Sequence, residues 1–123
     1  METVLSGAQL LKLQNQVDKV FIADAIYEYV TALTEQTRSS TSLDLGVSPR
    51  GALAVCNIAK ARAFFNSRDY VIPQDITDIF CDVTAHRVVL SRKAKISDIT
   101  ADDIIKEILL HTDKPAILQN GVD

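Results

Sequence analysis

In Leu45-Gly46-Val47-Ser48-Pro49-Arg50-Gly51, residue types and spacing bear most directly on chemistry. Ser48 followed by Pro49 marks a helix start: a hydroxyl that can accept from an orphan backbone N–H, then a ring whose fixed φ suits the first helical position. Such a terminus carries unpaired N–H groups and partial positive charge, and it favours acids. Arg50 in that first turn runs against this preference. Its planar fork fits a phosphate, so the pattern points to an anion contact, with a solvated surface arginine as the alternative. Other chemistry is missing. Gly7, Gly46, Gly51 and Gly121 begin no Gly-x-x-x-x-Gly-Lys-Ser/Thr phosphate loop. No His-Glu-x-x-His occurs, and His86 and His111 fall in different expected helices with no third ligand. No sequence context marks a Ser, His and acid constellation. The chain on its own is expected not to be an enzyme.

The hydrophobic spacing predicts five helices and no strong strand. The first runs from Ser6 to Val17, with Leu10, Leu13 and Val17 on one face. The second runs from Ala23 to Arg38, carrying Ile22, Ala25, Ile26, Tyr29, Val30 and Leu33 inward; Ser39 to Ser42 form a polar linker. The third, capped by Ser48 and reaching Phe65, is apolar almost all round and belongs in the middle of a bundle, with Phe64 and Phe65 in the core. After a turn at Asn66 to Asp69, Tyr70 to Ile72 read as extended, with Tyr70 against the bundle. Pro73 restarts a helix that fades between His86 and Val89. Leu90 to Ile99 read as a loop, with a brief pairing to Tyr70–Ile72 as the one candidate β contact. Thr100 caps the last helix, Ala101 to Leu110. The fold class is all-α: one domain over residues 1–115, and a frayed tail over 116–123.

Composition fits a single globular domain. The 123 residues are 47% hydrophobic and 24% charged, which excludes wholesale disorder. The net charge is −3, and a domain devoted to phosphate backbones would be basic, so nucleic acid is not an expected partner. No apolar run approaches the ~20 residues of a membrane span, and Met1 to Ser6 lack a signal-peptide pattern, so a cytoplasmic protein without membrane contact is expected. Cys56 and Cys81 are isolated within apolar helical patterns and read as reduced core thiols. A mean hydropathy of +0.10 is slightly high for a small monomer and leaves room for a covering partner.

Leu45 to Gly51, Ala59-Lys60-Ala61-Arg62-Ala63, Arg68 to Ile76 and His86-Arg87-Val88-Val89-Leu90 together resemble the C-terminal lid of MoxR-type AAA+ ATPases. Val4-Leu5-Ser6 and the helix through Tyr27 to Val30 extend the similarity over nearly the whole chain. Ile72 stands where the family commonly has Thr, and Gln74 replaces an acid. The resemblance implies a parent whose separate core binds ATP and Mg, the lid alone needing no cofactor. It also implies ring oligomers with chaperone-like or metal-cofactor-insertion roles, often beside proteins with von Willebrand A domains. Arg50 matches the family's sensor-2 arginine, which contacts the γ-phosphate, with Ser48 and Pro49 setting its helix start.

His86 and Arg87 match a recurring pair in the family and are interface candidates, toward the core domain or a neighbouring protomer. The alternative for Arg87, Arg92, Lys93 and Lys95 is a solvated basic run near a helix C-terminus. Arg68-Asp69-Tyr70 reads as a structural turn. Two rival readings of the whole chain are a histone-fold-like or helix-turn-helix nucleic-acid binder and a helical protein–protein adaptor.

Overall fold

The computed structural model describes residues 6–115. In chain order the elements are α1 (Gly7–Asp18), α2 (Asp24–Ser39), β1 (Leu43–Leu45), α3 (Pro49–Phe65), α4 (Pro73–Thr84), a single 3-10 turn (Ala85–Arg87), β2 (Val89–Leu90), α5 (Arg92–Ile96) and α6 (Ala101–His111). The all-α expectation holds, with six helices and one two-stranded pairing among the described residues. The expected tail at 116–123 lies outside them.

Helices α1, α3 and α6 begin where the sequence supplies a side-chain cap, whereas α2 starts at Ala23 without one. Ser6 and Gln9 exchange reciprocal bonds at the start of α1, and Thr100 and Asp103 do the same for α6. Ile72 has no side-chain oxygen to offer α4, so Asp75 supplies the bond instead, its carboxylate accepting from the Ile72 N–H at 2.9 Å.

The core is built by α2, α3, α4 and α6, with α3 packed most extensively against α4. Ile26 and Leu33 of α2, Val55, Ala59 and Ala63 of α3, Ile76 and Phe80 of α4, and Ile105 of α6 are fully buried. Alanines on α3 let the α4 backbone approach closely, and the larger side chains of α4 fill the space between. The outer side of α3 is not covered: Leu53 and Phe65 are 61% and 68% exposed. Phe65 therefore lies outside the core that the sequence assigns it. Adjacent helical residues point about 100° apart, so Phe64 and Phe65 cannot both face inward. Phe64 is half-buried and meets the Phe65 ring edge-on at 5.4 Å. On α1 the expected face is only partly used: Leu13 and Val17 are half-buried and Leu10 is exposed.

Both β expectations need correction. Tyr70 pairs with Phe21 in a parallel bridge, the Phe21 N–H donating to Asp69 O and the Val71 N–H to Phe21 O, each at 2.9 Å. The segment read as a loop holds β2 and α5. Leu43 pairs with Leu90 and Leu45 with Val89, antiparallel, and Ser91 caps α5 by accepting from the Ala94 N–H. Elements of two to five residues are too short to show periodicity. They close a satellite core of Leu43, Ala94 and Ile104, with Val88, Leu90 and Ile108 against it.

The turn after α3 is fixed by a buried carboxylate. Asp75, 1% exposed, receives both arms of Arg68 at 2.7 Å and lies 3.3 Å from Arg62 Nε. This pairing compensates the cost of burying its charge. Arg68 also donates to Tyr70 O and lies over the Tyr70 ring, 5.9 Å from its centre. Tyr70 itself is about one-third exposed.

Candidate functional site

The start of α3 is placed by the last turn of α2. The Val47 N–H donates to Thr37 Oγ1 at 2.9 Å, and that hydroxyl donates to Thr34 O at 2.6 Å; Thr37 and Val47 are both buried. Gly46 lies so close to α2 that a Cβ there would sit 2.7 Å from the Thr37 carbonyl carbon and 2.8 Å from the Arg38 backbone. Only glycine fits that approach. Ser48 then caps α3, accepting from the Gly51 N–H at 3.2 Å, and Pro49 takes the first helical position. Ser48, Pro49 and Arg50 thus form the helix start that the sequence indicates. The Arg50 side chain is exposed, and among the described residues it has no hydrogen bond and no carboxylate within 4.0 Å.

Arg87 reaches the same place from the far end of α4. Its Nε–H donates to Val83 O at 3.1 Å, and its stem passes Gly51, Cδ lying 3.5 Å from where a Cβ would stand. Arg38 arrives from the end of α2. Both line an open cavity of about 440 Å³, together with Asp44 and with Leu45 to Pro49. Ser48, Pro49 and Arg87 are therefore brought together, while Arg50 and His86 are exposed and do not line the cavity. Arg92, Lys93 and Lys95 belong to α5 and are likewise not part of it. Sequence reasoning missed Arg38, which it treated only as the close of a helix. The signal was there in its position, one polar linker ahead of the α3 start.

Among the described residues no group of three His, Cys, Asp or Glu could hold a metal ion, and no helix is long and apolar enough to cross a membrane. The site offers cations and backbone N–H groups. Chemically, such a set suits contact with an anion.

The AAA lid domain family model matches residues 35–108. The protein YeaC of Bacillus subtilis is 38% identical over 109 residues, covering 89% of this chain and 34% of that protein. Chaperone MoxR1 of Mycobacterium tuberculosis is 33% identical over 115 residues, covering 86% and 30%. A crystal structure of a "putative ATPase" from Cytophaga hutchinsonii superposes with a TM-score of 0.83 at 32% identity, covering 88% of this chain and 36% of that one. The chain belongs to the AAA lid domain family and, within it, is a lid of the MoxR type. It spans about a third of the length of these relatives. The histone-fold and helix-turn-helix readings gain nothing from these matches.

Proposed function

We propose that this domain is the nucleotide-responsive lid of a MoxR-type AAA+ ATPase and that Arg50 is its sensor-2 residue. The observation that carries the reading is an exposed arginine without an acidic partner, held at a helix start whose backbone is fixed on both sides, by Thr37 before it and by the Ser48 cap within it. Arg50 would contact the γ-phosphate of an ATP held with Mg by the core domain of the parent, Ser48 and Pro49 setting its approach. Bound ATP supplies the phosphoanhydride that is cleaved. This chain contributes a guanidinium at the edge of the site, which stabilises developing charge and ties lid orientation to the presence of the γ-phosphate.

On this reading the parent hydrolyses ATP, while the isolated lid does not. The parent assembles as a ring in the cytoplasm, with chaperone-like or metal-cofactor-insertion work and a von Willebrand A domain protein as a partner. His86 and Arg87 face the core domain or the neighbouring protomer. The test is Arg50→Ala in the full-length ATPase, measured as steady-state hydrolysis beside a thermal melt. Hydrolysis should fall by about 10-fold or more with the fold intact, the scale of losing one charge-stabilising donor. Unchanged hydrolysis would return Arg50 to the solvated surface.

A further inference from the structure

The cavity beside α3 holds two arginines that the sensor-2 role does not use. Arg38 lies in the last turn of α2 and Arg87 ends the turn after α4, yet both line one hollow of about 440 Å³. That volume lies in the ~300–1,000 Å³ range of small-molecule sites. Arg87 commits only its Nε–H, to Val83 O, so its terminal nitrogens have no hydrogen-bond partner among the described residues. Arg38 makes no side-chain hydrogen bond there at all. Neither has a carboxylate within 4.0 Å among the described residues, although Asp44 also lines the hollow. The stem of Arg87 can lie against α3 because Gly51 carries no side chain. Two guanidinium groups lining one hollow suit a multiply charged anion, which can engage both. A guanidinium with a free edge is also the side chain best shaped for bidentate phosphate contact.

We infer that Arg38 and Arg87 form a polyphosphate-binding cavity against the Ser48–Pro49 start of α3, so that the lid grips a phosphate chain at several oxygens and not at one. The inference deepens the sensor-2 reading and rests on it only for the source of the phosphates. Two sources share this chemistry, the triphosphate of a nucleotide and free polyphosphate.

The test is a nitrogen-15 NMR titration of the 123-residue chain at low salt, following backbone amides and arginine Nε–H signals. Separate arms use sodium tripolyphosphate, ATP and adenosine. Tripolyphosphate and ATP should both shift Gly46, Val47, Gly51 and the Arg87 Nε–H saturably at millimolar concentration, while adenosine shifts none of them. Equal affinity for the two phosphates marks a site that reads the chain alone; tighter ATP binding assigns the nucleotide as its source. Arg38→Gln and Arg87→Gln should each weaken tripolyphosphate binding by about 10-fold, the scale of one hydrogen bond to a charged group. Asp44→Asn should tighten it by removing a like charge, and Arg92→Gln on α5 should leave it as in the wild type. Thermal melts of each variant confirm folding. No saturable shift with tripolyphosphate, shifts with adenosine alone, or wild-type affinity in both arginine variants would overturn the inference. Because the readout is binding and not hydrolysis, it stands or falls separately from the Arg50→Ala experiment: the cavity can bind phosphates while Arg50 proves silent, and the reverse.

Discussion

Thr37 and Val47, ten residues apart, are joined by a 2.9 Å bond from the Val47 amide to the Thr37 hydroxyl, and both are buried. This bond holds the end of α2 against the start of α3, and so sets Arg38 beside Ser48. Thr37→Val keeps the volume and deletes the acceptor, leaving a buried N–H unpaired. The expected loss is about 1–3 kcal/mol, read as a lower urea midpoint with an unchanged m-value. Wild-type stability would mean that water reaches the Val47 amide.

Arg50 can be divided into a charge and a shape. Arg50→Ala in the 123-residue chain should change stability by less than about 0.5 kcal/mol, because an exposed first-turn arginine has nothing to support. In the parent ATPase, Arg50→Lys should restore only part of the hydrolysis lost in the alanine variant, since an ammonium keeps the charge and lacks the planar fork. Full rescue by lysine would reduce the role of Arg50 to that of a point charge.

The two thiols differ in accessibility. Cys56 is 7% exposed and Cys81 half-buried. Burial is the main cause raising each thiol above its ordinary pKa, with Lys60 opposing the rise at Cys56 and Asp102 adding to it at Cys81. Both should react with a thiol reagent at pH 8 far more slowly than in denaturant, and Cys56 more slowly than Cys81. Equal native rates for the pair would contradict the packing of α3.

Asp103 should contribute to an acid limb of the stability curve. Its carboxylate accepts from the Thr100 backbone N–H in the α6 cap, and hydrogen bonding to Thr100 lowers its pKa. A carboxyl lowered on folding contributes stability above its unfolded pKa of about 3.9, and loses it as pH falls through the lower folded value. Asp103→Asn should therefore flatten the decline in melting temperature below about pH 4. A decline as steep as in the wild type would assign the acid sensitivity elsewhere.

Much of this architecture is legible in the chain because caps are local. Ser6, Ser48, Pro49, Pro73 and Thr100 each mark a helix start that the structure places there. The α3 start and its exposed arginine were equally legible. What escaped depends on distance: β1 finds β2 across the whole α3–α4 hairpin, and Arg38 and Arg87 meet only once α2 and α4 have packed. Phe65 escaped for a different reason. Composition shows that α3 is apolar, but the neighbours decide which side is covered, and its outer side is left bare.

The single carboxylate of Asp75 is bound by Arg62 from α3, by Arg68 from the turn and by the Ile72 amide ahead of α4. Arg68 is the tie that matters most, since its two bonds are the ones whose loss would leave the buried carboxylate without a bidentate partner. The α3–α4 corner should accordingly exchange its amides together and not fray from the turn. A shift of α3 would in consequence reach α4 through this corner, as a strut carries load.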